Sequence, residues 1–300
     1  MSIINNANAG SEINLLCLIY RVISRNNNKL SVNDIQTLCR PDNLPEKKDQ
    51  EKKFRETLNF WMRAPQQLWV ENEDSKLEIY NTGQDSFEPT LDEIASVVNE
   101  ILFKLDVEDM FEKNHASRHF YELISCVLSV DSFSVSGDLD LKKNATLDTF
   151  FGSQLPGSIP NSNEKGLWRN YGYFLGFLEI SPSGRVYADP TRAIKWVLPK
   201  LFADHGSLRM SDFISRLGKF IKVLDGGKFR SRVESQMNQK VNQSVDDFHL
   251  SKTLSISLER LRLENLIRLN QKDDDQDAFY LHLESTPVPC SEVIYVGSNA

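Results

Sequence analysis

Apolar residues in the first eighty positions recur with a helical period and then with a strand period. The stretch "SEINLLCLIYRVISRNNN" sets Ile13, Leu16, Ile19, Tyr20 and Ile23 on one helical stripe behind Ser11, a residue type that caps helix starts. "KLSVNDIQTLC" offers Ser31 and, three residues on, Asp34, a capping-box-like pair opening a short second helix that carries Ile35 and Leu38. Pro41 and Pro45 end it. A third helix over 46–62 repeats Phe54, Leu58 and Trp61 at i, i+4 and i+7 as its buried face. "LWV" and "KLEIY" then alternate as two strands around the acidic turn "ENEDS". Three short helices closed by a hairpin within about 80 residues form the pattern of a winged helix, an elaboration of the helix-turn-helix.

Beyond residue 85 the period is helical again. "LDEIASVVNEILFKL" and "HFYELISCVLSV" are amphipathic, no good strand intervenes before Pro160, and 86–160 reads as a helical connector. The run "GSQLPGSIPNSNEKG" marks a loop or boundary. Over 161–190 a second helix-then-hairpin follows, "GLWRNYGYFLGFLEI", the turn "SPSG" and the strand "RVYA". Asp189 before Pro190 predicts the start of a new helix, "DPTRAIKWVLPKLF", which Pro199 kinks or shortens.

A third module is expected over 191–284. Its second helix is "SDFISRLGKFIKVL" and its third "SKTLSISLERLRLEN", with Leu254, Leu258 and Leu261 inward. "LIRLNQKDDDQDAFYLHL" supplies its hairpin, with Asp273, Asp274, Asp275 and Asp277 near the tip. "DGGKFRSRVESQMNQKVNQSVDD" is a polar insertion between the two helices, and 285–300 is an extended tail. The predicted fold class is mainly α with small β-hairpins, as tandem winged helix-turn-helix modules joined by a helical connector. No strict repeat survives in the sequence, so the tandem arrangement rests on pattern alone.

Composition narrows the function classes. With 40% hydrophobic residues in 300, the chain can bury a sizeable core. It contains no apolar run long enough to span a membrane and no secretory pattern at its start, so a soluble cytoplasmic protein is expected. Cys17, Cys39, Cys126 and Cys290 are scattered, which argues against a disulfide framework or a zinc site. The net charge of −7 is unevenly spread: residues 86–160 hold 5 Lys and Arg against 13 Asp and Glu. Contact with a polyanion must therefore be local to one end.

Two basic surfaces are candidates. On a helical wheel Lys48, Lys52, Arg55 and Asn59 lie within about 60° of one another at about 100° per residue. Such a face suits nucleic acid: cations meet phosphates, and an amide can pair with a base edge. A merely solvated surface, flanked by Glu51 and Glu56, is the competing reading. The second surface is Arg216, Lys219, Lys222, Lys228, Arg230 and Arg232, opposed by the single acid Asp225, with Phe229 interleaved and Phe220 expected in the core. Against direct DNA reading stand the acids Glu71, Glu73 and Asp74 in the first hairpin turn and the four aspartates of the last, which would repel phosphates. His115 and His119, four apart, would share a helix face but lack a third ligand. No phosphate loop, dinucleotide fingerprint or nucleophile elbow occurs, so no enzyme, metal or cofactor is expected. The series Trp168, Tyr171, Tyr173, Phe174 and Phe177 reads as core and hairpin packing rather than a base-stacking platform.

The whole layout, and most specifically "YFLGFLEISPSGRVYADPTRAI", resembles the G component of bacterial Dpd gene clusters, which install 7-deazaguanine derivatives in DNA and include proteins that restrict unmodified DNA. The resemblance implies a restriction-side role in phage defence and supplies no catalytic residues. Taken with the modules, it leads to the expectation of a non-enzymatic accessory protein that engages DNA weakly alone and acts with other defence proteins, an ATPase or helicase subunit among them. A pure protein-interaction scaffold and a transcriptional regulator are the alternatives.

Overall fold

The computed structural model of the chain describes residues 3–4, 12–27, 29–39, 48–63, 67–79, 88–112, 115, 117–129, 151–153, 155, 161–182, 185–237, 248–272, 278–283 and 286–297, without the side chains of 48–51 and 162. It is mainly helical with small antiparallel sheets. Two compact units divide it: Met1–Arg118 with Asn163–Phe174, and His119–Ser162 with Leu175–Ala300.

The first unit begins with α1 (Ile13–Arg25), whose stripe of Leu16, Cys17, Ile19, Tyr20 and Ile23 is buried. Strand β1 (Leu30–Ser31) leads directly into α2 (Val32–Cys39). The expected cap is present there: the Asp34 N–H donates to Ser31 Oγ, and the Ser31 N–H and hydroxyl donate to the Asp34 carboxylate. Helix α3 (Lys48–Met62) buries Phe54, Leu58 and Trp61 as predicted, each such side chain adding about 1.5–3 kcal/mol. Strands β2 (Trp69–Glu71) and β3 (Lys76–Ile79) close the sheet in the order β1-β3-β2, with Leu30 opposite Leu77 and Val70 opposite Glu78. Trp69 Nε1 donates to the Leu58 carbonyl at 3.0 Å, tying the hairpin to α3. The unit continues with α4 (Leu91–Phe103), opened by a Thr90–Glu93 capping box, and α5 (Val107–Glu112). Most of α7 (Ser162–Phe174) belongs to it as well.

Helix α6 (Arg118–Ser129), buried along almost all its length, leads into the second unit. There β4 (Leu178–Ile180) and β5 (Val186–Ala188) form the expected hairpin. Asp189 opens α8 (Thr191–Leu201) by accepting from the Thr191 N–H and hydroxyl, and Pro199 sits in the helix's last turn. The chain then runs through β6 (Ser207–Arg209), α9 (Met210–Phe220), α10 (Lys228–Glu234), α11 (Lys252–Leu263) and β7 (Ile267–Asn270). Leu254, Leu258 and Leu261 of α11 are buried as predicted.

Strand pairing departs from expectation at the end of the chain. β7 and β8 (Phe279–Leu281) do not form a hairpin with each other. β8 pairs with β9 (Val288–Cys290), and β7 pairs with β10 (Glu292–Tyr295), which also pairs with β6. The tail thus supplies the central strand of a sheet ordered β6-β10-β7, with Val293 fully buried. The physical reason is the alternation in "SEVIYV", which sets Val293 into the core between two strands while the aspartate-rich segment after Lys272 is polar throughout. The four aspartates lie outside the described residues.

Candidate nucleic-acid interface

The buried face of α3 consists of Phe54, Thr57, Leu58 and Trp61. By helical periodicity this turns Lys52, Arg55 and Asn59 the other way, and all three are exposed. The Lys48 side chain lies outside the described residues. Arg63, just past the helix end, is also exposed; four residues after Asn59 and eight after Arg55, it extends the same stripe. Its spacing was visible in the sequence, but its place beyond the last helical turn hid it. Lys53 belongs to a different side: its Nζ lies 2.8 Å from Glu12 Oε1, and that hydrogen bond raises its pKa. Glu56 borders the stripe 3.9 Å from Lys52, a pair so exposed that it contributes little.

The acidic turn is built by one asparagine. Asn72 Oδ1 accepts from the Asp74 and Lys76 N–H groups at 3.0 Å each, while the Asn72 N–H donates to the Lys76 carbonyl. Ser75 takes a left-handed φ of 56°. This geometry holds Glu71, Glu73 and Asp74 exposed at the tip, with Lys76 Nζ 3.8 Å from Asp74 as partial compensation.

The second basic surface is largely consumed by the fold. Arg230 is a correction: it is 1% exposed, its Nη1 2.5 Å from Asp225 Oδ1 and its Nε 2.7 Å from Glu234 Oε1. Asp225 also accepts from the Ser251 N–H at 2.7 Å and the Ser251 hydroxyl at 2.8 Å, and Ser251 in turn caps α11. The arginine that resembled a phosphate contact therefore fastens the insertion to the start of α11. Its charge is buried because Asp225, the one acid of the segment, is buried beside it. Arg216 donates to the Leu201 carbonyl and is half-buried, as are Lys222 and Arg232, while Lys219 and Lys228 are exposed. Phe229 is buried, edge-on to Tyr121 at 6.0 Å, whereas Phe220, expected in the core, is 40% exposed. Gly226 makes the intervening turn at φ 75°, where an added Cβ would meet Ile214 Cγ2 at 2.8 Å.

The other candidate chemistry resolves into local contacts. His115 precedes α6, so it and His119 do not share a helical face. Its Nδ1 is 2.7 Å from Ser117 Oγ, and burial lowers its pKa to about 4. His119 faces Glu122 at 3.7 Å. Burial raises the thiols of Cys17, Cys39 and Cys290 to about 11 and that of Cys126 further, which disfavours nucleophilic thiolates. Of the aromatic series, Trp168, Tyr171, Phe174 and Phe177 are buried, and Tyr173 is exposed. Among the described residues no cluster of three His, Cys, Asp or Glu could hold a metal, and no helix is long and apolar enough to cross a membrane.

A family model described as DpdG-like matches residues 1–275 of the 300. No curated protein and no solved structure matches the chain.

Proposed function

The chain belongs to the DpdG-like family, and on that premise we propose that it is a non-enzymatic winged-helix accessory protein of a Dpd-type phage-defence assembly, engaging DNA and partner proteins together. One observation carries the reading. Each unit contains a helix–strand–helix–helix–strand–strand order in which the last strand lies between the other two, β1-β3-β2 in one and β6-β10-β7 in the other. Such an order supports a winged-helix reading of both units, in which α10 is an insertion before the third helix of the second copy and β8 and β9 are additions to its wing.

The exposed stripe of Lys52, Arg55, Asn59 and Arg63 on the third helix of the first copy is the DNA-facing surface in this reading. The acidic turn beside it makes contact weak until a partner covers that turn. A pure protein scaffold is the second reading, favoured by the second copy, where Arg230, Arg260 and Arg262 are ion-paired within the chain. Capture from the native host with and without nuclease treatment separates the two. Partners that remain after nuclease, together with DNA recovered without it, fit the accessory reading. Partners retained with no DNA under either condition favour the scaffold, and reproducible turnover of DNA or nucleotide by the purified chain, abolished by a point change in it, would overturn both.

A further inference from the structure

Helix α11 ends on a fixed turn. The Leu266 N–H donates to the Leu261 carbonyl, the Asn265 N–H to the Arg262 carbonyl, and Asn265 stands at a left-handed φ of 58°. This paired arrangement is a Schellman motif, and asparagine is among the few side chains that tolerate its left-handed position. Between this helix end and β7 lies an open cleft of about 490 Å³, lined by Arg262, Asn265, Arg268 and Asn270 with Leu269 and Val296 among its apolar residues. Arg268 and Asn270 are two apart on the strand and both are exposed, while Ile267 beside them is buried.

The charges around the cleft are unevenly matched. Arg262 donates from Nε and Nη2 to Glu259 at 2.7 and 2.6 Å, which orients the guanidinium and leaves Nη1 outside that pair. Glu292 is held by Lys272 Nζ at 3.1 Å, and Glu264 by Lys195 Nζ at 2.8 Å. Arg268 has no carboxylate partner among the described residues. The partial negative charge of a helix C-terminus opposes an anion here. However, the Schellman turn occupies two of the last carbonyls, and Arg260 and Arg262 lie in the last turn. One guanidinium in excess, a second held in orientation and a carboxamide carried on a fixed turn suit a singly charged group with two free oxygens.

We infer that this cleft holds one phosphodiester group of a nucleic-acid backbone, with Arg268 as its charge partner, Arg262 Nη1 as an oriented donor and the Asn265 carboxamide as a further donor at its edge. The inference rests on the reading that the protein engages DNA, and it moves the second contact from residues 216–232, where the fold uses most of the cations, to the end of the third helix. The cleft is open at the surface, so the phosphate can belong to a polymer.

The test is fluorescence anisotropy of the full chain, from low salt upward, with a labelled DNA duplex and its labelled single strand, which distinguish the two sources of the phosphate. Arg268→Ala should weaken binding about tenfold and flatten the dependence of log affinity on log salt by about 0.9, one phosphate contact. Arg268→Lys should restore the slope and only part of the affinity, because the fork is lost and the charge kept. Thermal melts of both variants control for folding. If Arg268→Ala binds like the wild type while Lys52→Ala with Arg55→Ala does not, the cleft inference fails and the DNA reading stands. If the wild type binds neither DNA at low salt, both fail. A poly-glutamate peptide that binds the wild type, and not Arg268→Ala, as tightly as DNA does would make this a protein-docking site and overturn the inference.

Discussion

The two copies of the helix–strand–helix–helix–strand–strand pattern differ in what has been added to the frame. In the first, β2 and β3 are joined by the four-residue turn 72–75, and the outward face of α3 is exposed. In the second, residues 221–251 precede α11 and residues 271–291 separate β7 from β10. Both additions touch α11: Asp225 holds its cap Ser251, and the His282 N–H donates to Ser255 Oγ at 2.9 Å. The result is a third helix whose small polar residues Thr253, Ser255 and Ser257 are buried and whose arginines Arg260 and Arg262 are paired with Asp189 and Glu259. The same frame thus turns the cations of its third helix outward in one copy and ties Arg260 and Arg262 of its third helix to acids of the chain in the other. A count of Lys and Arg cannot tell these apart, because the difference lies in where the acids are buried.

The largest effect should come from breaking that internal use. Arg230→Ala leaves Asp225 buried without its cation, and urea unfolding should register a loss of about 3–5 kcal/mol. Removing the neighbouring exposed Lys228 should cost no more than about 0.5 kcal/mol. Equal effects of the two changes would erase the contrast between used and displayed charge. In the first copy the corresponding weight rests on apolar packing, so Trp61→Ala should also cost about 3–5 kcal/mol as a large core truncation. A change below about 1 kcal/mol would put the buried face of α3, and with it the orientation of the stripe, in question.

A smaller effect follows from His115 in the first unit. Its pKa of about 4 in the folded protein lies below the ordinary 6.5, so between these values the unfolded chain binds more protons. Stability is therefore greatest above about pH 6.5 and falls as the pH drops toward 4, with no further loss from this group below that. His115→Gln should flatten that part of the profile of thermal midpoint against pH. An unchanged profile would mean the ring is solvated. Smaller again is Gly226→Ala, where a left-handed φ and the contact with Ile214 together should cost about 1–2 kcal/mol.

Much of the frame was legible because it depends on local periodicity. Phe54, Leu58 and Trp61, the Ser31–Asp34 cap and the Leu178–Ala188 hairpin were each readable from neighbours a few residues away. What was not legible is non-local. β10 pairs with β6 across 82 intervening residues, between Arg209 and Glu292, and no nearby residue marks that register. Arg230 and Asp225 sit in a polar run whose composition reads as surface; only their shared burial with Ser251, 26 residues beyond Asp225, reveals the pair. Arg268 carries the opposite difficulty: it is one cation in the strand Ile267–Asn270 rather than one of a cluster, and nothing in its neighbours marks it.

The smallest effect on stability should accompany the clearest effect on binding, at the exposed stripe. Changing Lys48, Lys52 and Arg55 together to Ala should move unfolding free energy by no more than about 0.5 kcal/mol per site, since the described side chains of this set are exposed. If those three cations meet phosphates, their loss should flatten the salt dependence of duplex binding by about 2.7, at about 0.9 for each contact. Neutralising Glu71, Glu73 and Asp74 to Gln or Asn should act the other way and strengthen binding, because acids held at the tip by the Asn72 turn repel the same backbone. The two substitutions therefore separate an approach by DNA from a simple loss of charge. A stripe that faces only solvent would leave duplex binding unchanged in both variants, for the protein alone and in its assembly. The display of charge by the first copy would then serve no nucleic-acid contact, and the contrast with the second copy would be one of packing alone.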